Sequence, residues 1–210
     1  MKSLKNINTI VFDCDGVMFQ TEKLNRKYYN TLLEKFGLPP MTDSQAEFVK
    51  MHTADDSINH IFKDKVDRIE VDKERKKLPY IDFVPYMEMT NDLIELLKYL
   101  LKQGYNTAIA TNRSNTMDKV MELFELNQYF EIVVTASDVE KAKPDPEQLF
   151  KIRDFFSVKS ENMIYIGDSS LDEQAAAKAD IFFTSFRNPE LSADFYAEEM
   201  MEIKDLLAGC

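Results

Sequence analysis

Cysteine is scarce, positive charge is outnumbered, and no stretch stays apolar for long. The chain of 210 residues has two cysteines, Cys14 and Cys210, so a disulfide framework has no support. Lysine and arginine number 26 against 37 acidic residues, a net charge of −11, and nucleic acid is therefore a disfavoured partner, because a polyanion is bound by clustered cations that displace its counterions. A cation is the more welcome ligand. The opening "MKSLKNINTIVFD" has an apolar run of about five residues, below the roughly 7 to 15 of a secretory signal core. These shortages predict a reduced, cytoplasmic protein with no membrane partner. There is no internal repeat and no low-complexity tract.

What is present is ordinary globular composition, 44% hydrophobic and 30% charged, with a clear alternation of patterns. Five near-continuous apolar runs, residues 7–13, 105–111, 131–136, 162–168 and 180–185, have the composition of strands buried on both faces of a parallel sheet. Helical patterns lie between them. In "NDLIELLKYLLKQG" the spacing places Leu93, Leu96, Leu97, Leu100 and Leu101 on one face, with Asn91 as N-cap and Gly104 as the stop. "DPEQLFKIRDFF" offers Asp145 as cap, Pro146 in the first helical position and Gln148 to complete a capping box. The fold class is therefore α/β, a doubly wound parallel sheet. Residues 21–89 show no convincing strand and read as an all-helical domain inserted after the first strand, leaving residues 1–20 and 90–210 as the α/β core. Within the insertion, residues 63–77 alternate in charge and predict a solvated helix face, while the tail "AEEMMEIKDLLAG" predicts a closing helix in which Met200 and Met201 pack.

Open parallel sheets bind ligands beyond the carboxyl ends of their strands, and the residues there are not ordinary loop residues. The first run leads through Asp13 to Asp15, the second ends in Thr111, Asn112 and Arg113, the third is followed by "EKAKPDP" with Lys143, and the fourth by "GDSSLD" with Asp168 and Asp172. Taken singly, each has an ordinary structural use as a turn, cap or solvated residue. Together they bring four carboxylates, a hydroxyl and an amine to one edge. Such an acid cluster suits a hard divalent ion, Mg²⁺, which favours carboxylate oxygen alongside substrate phosphate. Lys143, the Thr111 hydroxyl and backbone N–H groups from Cys14 to Gly16 and at Asn112 would then orient the phosphoryl oxygens. With two aspartates two residues apart, one can attack phosphorus while the other handles protons. On this division of labour Asp13 attacks and Asp15 shuttles.

These motifs, "VFDCDGV", "IATN", "KAKPDP" and "YIGDSSLDEQAAAKA", resemble the four ordered motifs of the haloacid dehalogenase superfamily of phosphohydrolases, in its group similar to phosphoglycolate phosphatase and β-phosphoglucomutase. The resemblance implies a Rossmann-like core with a helical cap. It implies Asp13 as a nucleophile that becomes an aspartyl-phosphate and Asp15 as acid and base. Asp13, the Asp15 carbonyl and Asp168 would hold Mg²⁺, with Asp172 direct or one step removed, and Thr111, Asn112 and Lys143 would bind phosphate. By similarity to the cap's substrate-reading loop, Lys50 and His52 in "VKMHTADDS" are candidates for contact with a small phosphorylated metabolite. The chain departs from the resemblance in having Gln20, Thr21 and Glu22 after the first motif, and no glycine in that cap loop. The expected function is a Mg²⁺-dependent phosphatase. A phosphomutase using the same residues and a phospho-accepting signalling domain remain the alternatives.

Overall fold

Thr9–Phe12 is buried at every position, and only the middle of a sheet covered on both faces hides both sides of a strand. The structure, a computed structural model, describes residues 6–51 and 54–208, and for Lys50 and Met51 the backbone alone. The chain divides into two compact units, Met1–Phe19 with Met89–Cys210, and Gln20–Glu88.

In the first unit β1 (Thr9–Phe12) is flanked by β4 (Asn106–Thr111) and β6 (Met163–Gly167), with β5 (Ile132–Thr135) beyond one and β7 (Phe182–Phe186) and β8 (Phe195–Ala197) beyond the other. All these pairings are parallel. The order β5-β4-β1-β6-β7-β8 reverses direction beside β1, the switch point at which doubly wound sheets open a crevice. The expected α/β class is what the structure shows, and the five apolar runs correspond to β1, β4, β5, β6 and β7. β8 was not foreseen.

The crossover helices are α5 (Leu93–Gln103), α6 (Met117–Leu123), α7 (Glu147–Phe156) and α8 (Ser170–Ala179), and α9 (Met200–Ala208) follows the last strand. α5 buries Leu93, Leu96, Leu97 and Leu100 and stops at Gly104, whose φ of 80° is open to glycine at little cost. Leu101, expected on the buried face, is 38% exposed, because it lies a further 100° round the helix from Leu100. The N-cap is Asp92 in place of the expected Asn91. α7 starts one residue later than expected, with Pro146 as N-cap in place of Asp145, and the capping box expected of Gln148 does not form: Asp145 Oδ1 accepts from the Glu147 amide at 3.2 Å, but Gln148 is buried and its amide donates to the Thr111 carbonyl at 2.7 Å. It ties α7 to the end of β4 instead. α9 closes the unit with Met200 buried and Met201 half-buried.

The second unit holds α1 (Glu22–Glu34), α2 (Asp43–Met51), α3 (Ala54–Phe62) and α4 (Arg68–Lys76), followed by a 3₁₀ stretch, Tyr80–Tyr86. Leu24, Tyr28, Leu32 and their neighbours Tyr29 and Leu33 form the buried stripe of α1. The Tyr28 ring meets Tyr29, Tyr80 and Phe83 edge-on at centroid distances of 5.1, 5.1 and 5.3 Å, a favoured geometry for the ring quadrupole. The alternating charges of α4 are largely solvated, as expected, although Arg68 and Arg75 both reach Asp55 of α3, at 2.9 and 3.0 Å. The strandless reading of residues 21–89 needs one correction at its end: β3 (Glu88–Met89) pairs with β2 (Phe19–Gln20), just before the stretch, in a separate two-stranded sheet. Two residues carry too little pattern to be seen. Among the described residues no helix is long and apolar enough to cross a membrane.

Candidate active site

The sheet register sets the site. Phe12 lies level with Ile109 on β4 and Ile166 on β6, so the next residue, Asp13, leaves the sheet beside Ala110 and Gly167, with its amide donating to the Ile166 carbonyl at 2.9 Å. The chain then folds back at once, the Met18 and Phe19 amides both donating to the Cys14 carbonyl at 3.0 Å. Cys14 is buried, and burial pushes its thiol well above the usual range, which leaves it an inert packing group. Gly16 has φ of 85°, and a Cβ there would stand 1.8 Å from Asp168 Oδ2. Only glycine lets the first loop and the Asp168 carboxylate come so close. The Gly16 amide donates to the Phe19 carbonyl at 2.8 Å, so it closes this turn and drops out of the N–H groups expected to meet a phosphoryl group.

Lys143 is the hub. Its backbone is clamped from both sides by the Asn112 side chain, which accepts from the Lys143 amide and donates to the Lys143 carbonyl, each at 3.1 Å. Its ammonium lies 2.8 Å from Asp13 Oδ1, 2.6 Å from Asp172 Oδ1, 2.8 Å from the Tyr165 hydroxyl and 3.2 Å from the Ala110 carbonyl. An ammonium has three hydrogens for these oxygens. The Tyr165 hydroxyl resolves the excess, since it accepts from Lys143 and donates to Asp172 Oδ1 at 2.7 Å or the Ala110 carbonyl at 3.0 Å. Tyr165→Phe accordingly strands no lysine hydrogen, and the expected loss is that of one hydrogen bond to a charged group, about 1.5 to 3 kcal/mol, read from denaturant midpoints. A loss above about 4 kcal/mol would mean that the hydroxyl organises more than these contacts.

The charges are unequal in kind. Burial works against the Lys143 charge, but Asp13 and Asp172 hold its pKa above the usual lysine value. Burial likewise opposes ionisation of Asp172, yet Lys143, Ser169 and Tyr165 keep it below the usual carboxylate range. That ion pair is self-contained. Asp13 and Asp168 lack such compensation: burial first, then neighbouring acids, push Asp13 up to about 7 despite Lys143 and Asp168 up to about 8. Carboxylate oxygens of Asp13, Asp168 and Asp172 lie within 4.8 Å of one another. Three hard oxygen donors sharing one lysine fit a divalent cation of the Mg²⁺ type. Asp172 is the least available of them, because Oδ1 faces Lys143 and Tyr165 while Oδ2 accepts from the Ser169 amide and hydroxyl. A Cβ at Gly167 would lie 2.4 Å from the Asp172 Cβ, so this close approach again depends on glycine. Asn188 steadies the other acid, its amide donating to the Asp168 carbonyl at 2.8 Å.

Of the residues singled out in the sequence, Asp13, Lys143, Asp168 and Asp172 come together in one cluster. Thr111 is buried beside them and its hydroxyl accepts from the Arg113 amide at 3.1 Å, which leaves the hydroxyl hydrogen for another oxygen. Asn112 is placed to hold Lys143. The Asp15 carboxylate turns away from the acid cluster to Arg113, at 2.7 and 3.2 Å. Lys50 lies in α2, and its side chain, with the whole of His52, falls outside the described residues. Two participants were missed. Tyr165 reads as one more apolar strand residue, and Arg113 as the tail of a motif; an arginine directly after Thr-Asn at a strand end was the available signal for the second.

With this geometry in view, relatives are informative. The family profile described as haloacid dehalogenase-like hydrolase matches residues 10–186. A pyrophosphatase PpaX from Bacillus cereus is 28% identical over 221 residues, covering 97% of each chain. The crystal structure of a HAD-superfamily hydrolase, subfamily IA, from Geobacter sulfurreducens superposes with a TM-score of 0.89 at 33% identity, covering 96% of this chain and 97% of that one. A putative phosphoglycolate phosphatase from Lactobacillus plantarum shares the fold, with a TM-score of 0.78 at 21% identity and coverages of 96% and 99%. The chain belongs to the haloacid dehalogenase-like hydrolase family.

Proposed function

We propose that this protein is a Mg²⁺-dependent phosphatase of small phosphorylated metabolites that works through a phosphorylated Asp13. The observation that carries it is the single cluster in which Asp13 Oδ1 meets the Lys143 ammonium at 2.8 Å while its carboxylate shares a 4.8 Å circle of oxygens with Asp168 and Asp172. Asp13, Asp168 and the Asp15 carbonyl would hold the ion, with Asp172 behind them, and a bound Mg²⁺ would neutralise and orient phosphoryl oxygens. The Asp13 carboxylate attacks phosphorus and the bond to the leaving oxygen breaks, with Asp15 giving that oxygen a proton. Water then attacks the aspartyl-phosphate, Asp15 takes its proton, and phosphate leaves as Asp13 is restored. Lys143, the Thr111 hydroxyl and the Asn112 backbone N–H are the groups available to the phosphoryl oxygens. The Gln20–Glu88 unit would serve as a cap that excludes water from the reaction.

The names of the relatives suggest where to begin. A panel containing inorganic pyrophosphate, phosphoglycolate and sugar phosphates, assayed for phosphate release with Mg²⁺, should give one preferred substrate, and release that survives exhaustive chelation would remove the metal from the scheme. Turnover that depends on a bisphosphate activator would identify a mutase instead.

The metal has a signature independent of turnover. Asp13 and Asp168 have folded-state pKa values raised from the ordinary 3.8 to about 7 and about 8, so between about pH 4 and pH 8 these two groups bind more protons in the folded metal-free chain than in the unfolded one. Their contribution to stability therefore falls as pH rises through that window. Mg²⁺ compensates the ionised oxygens, so the rise in thermal midpoint on adding it should grow from pH 5 to pH 8. Equal rises at both would take these carboxylates out of the ligand set.

A further inference from the structure

Arg113 is an unusual residue to find with a side chain 4% exposed, because a guanidinium taken out of water needs partners for its donors and its charge. Its partners are specific. Nη2 donates to Asp15 Oδ1 at 2.7 Å and Nε to Asp15 Oδ2 at 3.2 Å, while Nη1 donates to the Thr116 hydroxyl at 2.8 Å and the Arg113 amide to the Thr111 hydroxyl at 3.1 Å. The fork is thus held at its far side by the first turn of the α6 region and at its base by the end of β4. It grips both oxygens of a carboxylate whose own side chain is 39% exposed and belongs to a loop 98 residues away in sequence.

We propose that Arg113 is a positioning residue for Asp15: the two-point grip fixes the plane and direction of the carboxylate that handles protons on the leaving oxygen and on the attacking water. The proposal rests on the role given to Asp15 above. A side chain at the mouth of a loop would otherwise sample several rotamers, and a proton delivered from the wrong direction is a proton not delivered. A planar fork defines a carboxylate plane in a way that a single ammonium cannot. Chemistry is still open to the gripped group, since a carboxylate offers about four lone-pair sites and the fork takes two. One site remains on each oxygen. Thr116 enters the same account, because it holds the third guanidinium nitrogen and so aims the fork.

The test compares an alkyl ester, phosphoglycolate, with an aryl ester, p-nitrophenyl phosphate, at saturating Mg²⁺, in the full-length protein and in Arg113→Gln, Arg113→Lys, Thr116→Val, Asp15→Asn and the double variant Asp15→Asn/Arg113→Gln. Formation and hydrolysis of the phosphoenzyme are followed in single turnovers. General acid catalysis is worth roughly 10²- to 10⁴-fold, and misaiming the acid should forfeit part of it. Arg113→Gln should slow phosphoenzyme formation about 10- to 100-fold with the alkyl ester, whose leaving oxygen needs a proton. With the aryl ester the loss should be about 3-fold or less, and KM should change less than about 2-fold for either. Lysine should restore part of the loss, and Thr116→Val should show the same ordering with smaller losses. In the Asp15→Asn background, Arg113→Gln should have no further effect, since its action passes through Asp15.

Equal losses on the two esters, a raised KM, or additive losses in the double variant would overturn the proposal, in favour of a structural or substrate-binding arginine. If Arg113→Gln fails to fold, Arg113→Lys and Thr116→Val carry the same comparison. If the wild-type protein forms no phosphoenzyme, the proposed function falls and the positioning role with it. If it does and the variants show no leaving-group dependence, the positioning role falls alone.

Discussion

Asp13→Asn is expected to fold normally and to lose roughly 10⁴- to 10⁶-fold in turnover, the scale on which removing a covalent nucleophile acts. An amide has nearly the shape of the carboxylate but no anionic oxygen with which to attack phosphorus. The fold has reason to tolerate it. The amide carbonyl can still accept from Lys143, as Asp13 Oδ1 does at 2.8 Å, and Lys143 keeps the Asp172 carboxylate at 2.6 Å as its counter-charge. Asp13 is an acid whose ionised form is costly enough at this depth to push its pKa up to about 7, so a neutral replacement should hold or raise the metal-free thermal midpoint. Phosphate release and thermal unfolding, measured on one preparation, check both halves. A folded variant with a wild-type rate would remove Asp13 as nucleophile.

Lys143→Met is the opposite case, a substitution expected to damage folding as well as chemistry. Methionine fills much of the same volume, but it leaves Asp172, fully buried, and Asp13 facing each other without a cation. Breaking a buried ion pair from one side typically costs about 3 to 5 kcal/mol, a substantial part of the total stability of a domain. The deficit has a pH dependence of known sign. In the wild type Lys143 keeps Asp172 below the ordinary carboxylate value of 3.8, a stabilisation fully present above that value and lost only as pH falls through the lower folded-state one. The variant lacks it, so the gap between the two proteins should persist from about pH 8 down to about pH 4 and close only on further acidification. Denaturant midpoints across that span and below it measure it, and a gap that never closes would mean that the lysine matters for packing alone. Mg²⁺ should narrow the gap at neutral pH without restoring activity.

The elements that were legible in the sequence are those whose burial is uniform. β1, β4, β5, β6 and β7 declare themselves because a strand hidden on both faces must be apolar along its length, and α5 because its leucines recur at helical spacing. β8, with three residues, and the β2–β3 pair, with two each, are shorter than any period that could reveal them. Caps were read less well for a different reason. Gln148 has the right type and spacing for a capping box, but its side chain turns inward to donate to the carbonyls of Thr111 and Val134 at 2.7 and 3.3 Å, and the Asp145 amide that its oxygen would have met donates to the Ala142 carbonyl at 3.0 Å. The acids and the lysine were legible because the ends of parallel strands share one edge. The pairings among them were not: Asp13 to Lys143 spans 130 residues, Asp15 to Arg113 spans 98, and no local pattern encodes which of several nearby acids a given cation will choose. Tyr165 shows the limit well, since its ring obeys the strand pattern while its hydroxyl belongs to the site.

The small β2–β3 sheet has a bearing on how the chain assembles. For β1 to meet β4, with Thr9 against Asn106, the whole Gln20–Glu88 segment must be looped out, and closing a longer flexible loop costs more entropy. Pairing Phe19–Gln20 with Glu88–Met89 draws the two ends of that segment together. Once they are joined, the crossing from β1 to β4 behaves as a connection roughly a quarter as long, a saving of about 1 kcal/mol by the logarithmic law. The entropic hindrance to the central parallel pairing thus depends little on how large the inserted unit is, and an insertion of a different size between the same two short strands would leave that pairing almost as easy to form.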